Sequence, residues 1–172
     1  AAFKQFTRQR QWQCRHAVEL DAARLTQDGI TRLVLDFDGV LAPHGVIAPL
    51  PAVTAWLKNL AQSFCESHLY ILSNKPLPER EAWFKQHFPK IHFIRAARKK
   101  PYPDGLEQII QHSNVPPSQI ALVDDRLLTG MLAVILTNTR GYWVTNAYRN
   151  LASNTPRECF FALLRRLEKI LF

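Results

Sequence analysis

Three short stretches are almost wholly apolar, and each runs out on a polar residue or just before one: residues 31–37 (TRLVLDF), 68–73 (HLYILS) and 119–124 (QIALVD). Runs of this length, apolar on both faces rather than alternating, are the pattern of strands buried inside a parallel sheet. Weaker runs of the same kind lie at 91–95 (IHFIR) and 141–145 (GYWVT). Between them, apolar residues recur with helical spacing near 51–64, 78–88, 103–113 and 127–137. Strand and helix therefore alternate, which predicts an α/β fold: a three-layer, Rossmann-like core with a mostly parallel sheet and helices on both faces. Ligands of such sheets bind at the carboxyl ends of the strands. The polar residues that close the strands are thus the place to look for chemistry.

Two flanking segments stand outside the alternation, and both are expected to be helical. Residues 1–27 carry Phe3, Phe6, Trp12 and Val18. In residues 156–172, Phe160, Phe161, Leu163, Leu164, Leu167, Ile170 and Leu171 form a wide apolar stripe opposite Arg157, Arg165, Arg166 and Lys169. Such an amphipathic helix is expected to pack its stripe on the sheet, membrane contact being the other use. No internal repeat or linker divides the 172 residues, so one domain spanning 1–172 is expected.

Composition narrows the class. The chain is 47% apolar and 21% charged, close to the globular average, and no stretch reaches the length of apolar sequence that spans a bilayer. Cys14, Cys65 and Cys159 are odd in number and far apart, which fits neither a disulfide framework nor a CxxC metal site. Reduced thiols and a cytoplasmic location are the expectation. The net charge of +8 favours acidic partners: phosphorylated substrates, an anionic membrane surface touched peripherally, or, less favoured, nucleic acid. A diffuse, solvated basic surface accounts for it equally well.

Candidate chemistry gathers at the strand ends. Asp36-Phe37-Asp38-Gly39-Val40 follows the first strong strand. Carboxylates two residues apart project to the same side of an extended chain, so Asp36 and Asp38 can address one reacting group, the first as nucleophile and the second as proton carrier. The same pentapeptide also suits a plain turn. The second strand closes on Ser73-Asn74, able to donate to phosphoryl oxygens or to cap a helix, and Lys99-Lys100 precedes the helix near 103–113. The third ends in Asp124-Asp125, and a hard ion such as Mg²⁺ is held by carboxylate oxygens together with substrate phosphate.

This succession resembles the four signature motifs of the haloacid dehalogenase (HAD) superfamily, in order, from about residue 25 onward. The resemblance implies a phosphomonoester hydrolase working through an aspartyl phosphate. It makes Asp36 the nucleophile, Asp38 the acid/base, Ser73 and its neighbour Asn74 phosphate-binding, and Lys100 a phosphate-binding, charge-balancing lysine. Mg²⁺ would be held by Asp36, Asp125 with Asp124 beside it, and the main-chain carbonyl of Asp38. A closer likeness is to the subfamily IIIA branch of YqeG-type bacterial phosphatases and mitochondrial phosphatidylglycerophosphate phosphatases. It rests on the opening GITRLVLDFDGVLAPHG, on Lys100-Pro101 and on Asp125 to Gly130. In that branch a glycine is usual where Asp124 stands, a glutamine at Arg126, an acid at Gly130 and Asn-Thr at Gly39-Val40. The two sites where HAD proteins insert caps, 41–50 and 74–99, are too short here for a folded cap. An open site implies a bulky acidic phosphoester such as phosphatidylglycerophosphate. The alternatives are a soluble phosphosugar, nucleotide or nucleic-acid end, and, in another class, a non-catalytic HAD-like binding protein.

Overall fold

The structure, a computed structural model, describes residues 3–150 and 156–171, with the side chains of 156–159, 161 and 169 outside the description. Six strands form one sheet: β1 (Gln13–Cys14), β2 (Arg32–Leu35), β3 (Leu69–Leu72), β4 (His92–Ile94), β5 (Ile120–Asp124) and β6 (Arg140–Val144). Their order is β1-β6-β5-β2-β3-β4, and every pairing is parallel. The helices are α1 (Lys4–Arg8), α2 (Ala22–Gln27), α3 (Pro51–Phe64), α4 (Pro78–His87), α5 (Asp104–Ser113), α6 (Leu132–Thr137) and α7 (Pro156–Leu171). The expected α/β architecture is the one observed.

The central strands follow from their composition. Leu33, Val34 and Leu35 of β2, Leu69 and Ile71 of β3, and Ile120 to Val123 of β5 are all excluded from water, as side chains covered on both faces of a sheet must be. The helices supply the cover. Val53, Leu57 and Leu60 bury one face of α3 at spacings of four and three, and Pro51 opens that helix where its missing N–H costs nothing. α5 buries Leu106 and Ile109 and ends on Asn114 in the left-handed conformation.

Register decides where the strands end. Leu35 pairs with Ile71 on one side and Val123 on the other, so Asp36 and Asp124 lie level at the carboxyl edge. From β2 the chain winds outward through β3 to β4, then returns past β2 to lay down β5 and β6. The direction reverses between β2 and β5, which opens a crevice at that point of the carboxyl edge. Neither cap site holds a folded insert. Residues 38–42 form a tight turn in which Gly39 N–H donates to Ala42 O at 2.7 Å, and only α4 and β4 separate Ser73 from Lys100.

Three expectations are corrected. The N-terminal segment is not simply helical: Gln13 and Cys14 pair with Trp143 and Val144 as an edge strand of the sheet. Two residues are too few to show any periodicity. The segment expected as one helix over 127–137 is a π-helical turn, Leu127–Met131, followed by α6. Most important, α7 does not turn its apolar stripe inward. Phe160, Leu163, Leu167, Ile170 and Leu171 are 44% to 71% exposed, whereas Arg165 and Glu168 are 5% and 2% exposed. Phe161, Arg157, Lys169 and Cys159, named above with this segment or among the thiols, lie outside the described side chains. Among the described residues no helix is long and apolar enough to cross a membrane.

Candidate active site

Three carboxylates converge at the crevice. Asp36 leaves β2, Asp124 ends β5 and Asp125 follows it; all three are buried, and one oxygen from each lies within 4.8 Å of the others. Lys100, arriving after β4, donates from Nζ to Asp36 Oδ1 at 2.8 Å and to Asp124 Oδ2 at 2.5 Å. Asp124 Oδ1 accepts the Arg126 N–H at 2.9 Å, and Asp125 Oδ2 accepts from Arg165 Nε of α7. Fully ionised, the three carboxylates would outnumber the Lys100 and Arg165 cations by one unit of charge in this buried cluster.

That imbalance shows in the protonation of the cluster. Burial pushes the Asp36 carboxyl up to about 8, with Lys100 pulling it down and Asp124 and Asp125 pushing it further up. Burial likewise raises Asp125 to about 6 against the pull of Arg165. Against the burial that lowers it, Asp124 and Asp36 hold the Lys100 ammonium above its ordinary range. A divalent ion that prefers oxygen ligands fits this donor set, with Asp36, Asp124 and Asp125 as the carboxylates able to hold it.

Two glycines make room for the cluster. Gly39 has φ +91°, and a β-carbon there would meet Asp125 Oδ2 at 2.8 Å and Arg165 Nη2 at 2.9 Å. A β-carbon at Gly130 would lie 2.1 Å from Asp124 Cγ. The Asp124 side chain occupies the space that a side chain at position 130 would need.

Asp38 lines the same crevice but stands outside the three-acid cluster. Both its oxygens are taken by Arg80 of α4, at 2.7 and 2.9 Å, and His44 Nδ1 is 3.6 Å from Oδ1. Arg80 is fully buried, lies 3.8 Å over the Phe37 ring, and also donates from Nε to Val46 O at 3.0 Å. One guanidinium thereby fixes the loop after β2 and the orientation of Asp38. Nothing in the segment Glu79-Arg80-Glu81 marks Arg80 as anything but a surface residue of a polar helix.

The phosphate-binding candidates are divided. A cavity of about 450 Å³ is lined by Asp36, Asp38, Asn74, Lys100, Asp124 and Asp125 among others, with Lys75, Lys99 and His44 at its walls. Ser73 is buried and lines an adjoining space of about 210 Å³ that shares Asn74 and Lys100 with the main cavity. Its Oγ accepts the Lys75 N–H at 3.1 Å, which leaves the hydroxyl proton for another acceptor. The Asn74 amide spans the Lys100 backbone, accepting its N–H at 2.7 Å and donating to its carbonyl at 3.2 Å, and so positions the lysine.

The residues that sequence reasoning missed come from α4 and α7. Glu168 accepts from Arg126 Nε and Nη2 at 2.9 and 2.7 Å and from the Leu127 N–H at 3.0 Å, capping the π-helical turn. Arg165, one helical turn earlier on the same face, reaches the acid cluster. The sequence had placed Arg165 on a solvated basic face. Only a helix with buried charged positions three apart would have signalled otherwise, and that pattern is indistinguishable from a surface ion-pair motif.

The fold is a parallel α/β sheet whose three buried acids stand at its switch point. The model of the haloacid dehalogenase-like hydrolases matches residues 3–134, and the chain belongs to that family. No curated protein is a significant match. Among solved structures, an uncharacterized protein from Listeria monocytogenes serotype 4b is similar with a TM-score of 0.55 at 12% identity, over 74% of this chain and 85% of that one. An uncharacterized protein from Corynebacterium glutamicum gives 0.47 at 18% identity, over 78% of this chain and 93% of that one. A Lactobacillus delbrueckii subsp. bulgaricus protein with the provisional name phosphoglycolate phosphatase gives 0.43 at 21% identity, over 54% of this chain. This chain spans 40% of the length of that protein. The Listeria likeness shows the fold.

Proposed function

We propose that this hydrolase is a Mg²⁺-dependent phosphomonoesterase that forms an aspartyl phosphate on Asp36. The observation that carries the reading is the shared position of Asp36, Asp124 and Asp125 around Lys100, at the carboxyl edge between β2 and β5. Asp36 attacks phosphorus as the ester P–O bond breaks, and Asp38 gives a proton to the departing alkoxide. Asp38 then takes a proton from water, whose oxygen displaces Asp36 and releases inorganic phosphate. Lys100 keeps Asp36 oriented and balances charge at the transferred group, Ser73 donates its hydroxyl to a phosphoryl oxygen, and Asn74 holds Lys100 in place. Mg²⁺, held by Asp36 and by Asp124 and Asp125 with the Asp38 carbonyl, would neutralise charge on the phosphoryl oxygens.

Neither 41–50 nor 74–99 holds a folded cap, which supports a bulky acidic phosphoester as substrate, phosphatidylglycerophosphate being an example. The exposed apolar face of α7 and the net charge of +8 support peripheral contact with an anionic membrane. Turnover of an aryl phosphate with Mg²⁺ and in chelator tests the reaction. The expected result is Mg²⁺-dependent hydrolysis, reduced to background in Asp36→Asn, with a labelled phosphoenzyme at Asp36 in the parent protein. Label at any other residue, or hydrolysis surviving in Asp36→Asn, would refute the assignment.

A further inference from the structure

Beside the active cavity lies a second one, of about 390 Å³, between the end of β6 and α7. Val144, Thr145, Arg149, Leu163, Arg165 and Arg166 line it, and it shares Arg165 and Asp125 with the first. Three guanidinium groups therefore face one space from two elements: Arg149 from the segment after β6, Arg165 and Arg166 from α7. The carboxylate on the common wall, Asp125, is already engaged by Arg165 Nε. Among the described residues neither Arg149 nor Arg166 is held in an ion pair.

Arg165 is built into the wall. It is 5% exposed, its Nη2 lies 3.3 Å from His44 Nε2 in the active cavity, and among the described residues its buried Nη1 has no hydrogen-bond partner. A buried cation with an unused donor between two cavities calls for an acceptor. The rest of the second cavity is also anchored. Thr145 N–H donates to Cys14 O at 2.9 Å, Asn146 N–H to Arg15 O at 3.1 Å, and Tyr148 N–H to Gly39 O at 2.8 Å in the turn after the nucleophile. Glu168 pins α7 from the other side.

We propose that this second cavity is an anion subsite for a second phosphate group, monoester or diester, on the same substrate whose phosphomonoester occupies the active cavity. The proposal rests on the phosphatase reading and narrows its substrate class. Guanidinium forks match phosphate oxygens in pairs, and a shared Arg165 sets the two groups a short carbon chain apart. Val144 and Leu163 supply apolar wall for that chain. Two sources carry this chemistry: a soluble bisphosphate, and a lipid headgroup with a phosphodiester next to its phosphomonoester.

The experiment compares kcat/KM for a three-carbon diol monophosphate, for its bisphosphate, and for a dispersed lipid with the diester–monoester headgroup. It uses the full chain and the double variant Arg149→Gln, Arg166→Gln. The parent protein should prefer a doubly phosphorylated substrate by about tenfold or more through KM, and the double variant should lose most of that preference. Arg140→Gln, an exposed arginine at the opposite end of β6, removes equal charge and should leave the preference intact. Loss of preference in the double variant supports the subsite, and the substrate that loses more identifies the source. No preference in the parent, an equal fall for all three esters, or an equal loss in Arg140→Gln overturns it. Calorimetric binding of the bisphosphate to Asp36→Asn, with and without the double substitution, needs no turnover. If no ester is hydrolysed, the phosphatase reading fails while that measurement still decides the subsite: affinity that ignores Arg149 and Arg166 refutes it.

Discussion

In β2, β3 and β5 the aliphatic side chains are buried, and acidic or hydroxyl groups stand at the carboxyl end of each strand. In α7 the relation is inverted: Arg165 and Glu168 are buried against Asp125, Arg126 and Leu127, while Phe160, Leu163 and Leu167 face out. The sheet is held by apolar area removed from water, and α7, among its described side chains, by a few charged hydrogen bonds of defined geometry. The first kind of attachment is insensitive to pH and specifies little about position beyond the face buried. The second is directional and depends on charge. It places α7 over the site, and it makes α7 the element whose attachment responds to whatever happens to the acid cluster.

The contrast sets a ranking of effects. The largest belongs to the sheet: Leu122→Ala in β5 removes a side chain with no exposure and should cost about 2–5 kcal/mol in urea unfolding. A loss well under 1 kcal/mol would mean the sheet is not packed as described. Next comes the attachment of α7. Glu168→Gln keeps the shape and removes the charge facing Arg126 and the Leu127 N–H, a buried set for which the expected cost is about 1–3 kcal/mol. Hydrogen exchange should rise across α7 and the 127–131 turn and stay unchanged in β2 and β3. A uniform rise would erase the distinction between the two regions.

The acid cluster links the regions, and its effect on pH dependence has a definite sign. Asp36 and Asp125 stand at about 8 and about 6, above their ordinary value of 3.8. Between about pH 4 and 8 the folded protein therefore binds more protons than the unfolded chain, and stability falls as pH rises through that window. In chelator, the melting temperature should be higher at pH 5 than at pH 8. Mg²⁺ should raise it more at pH 8, where the carboxylates are ionised. An opposite slope would show that Lys100 and Arg165 already balance the cluster. Smallest of all, Leu167→Ser on the exposed face of α7 should change stability by no more than about 0.5 kcal/mol. A loss above about 1 kcal/mol would mean that this face is covered after all.

The strands and most helices were legible because the need to bury a face imposes a period on the sequence, two-sided in the central strands and near 3.6 in α3 and α5. The candidate strand ends were legible for a related reason: Asp36, Ser73 and Asp124 are polar residues at the points where unbroken apolar runs stop. Residues 13–14 and the division of 127–137 were not, since a two-residue strand has no period and a π-helical turn differs from an α-helical one in register alone. The sequence by itself thus determined the class of fold and the edge of the sheet at which the candidate acids gather. Tertiary structure alone decided which charges meet. Arg80 faces Asp38 from 42 residues away, Arg165 faces Asp125 from 40, and Gly130 yields its space to Asp124. A charged residue leaves no periodic trace of its partner. Its energy depends on the distance and dielectric between two side chains, and both exist only once the chain has folded.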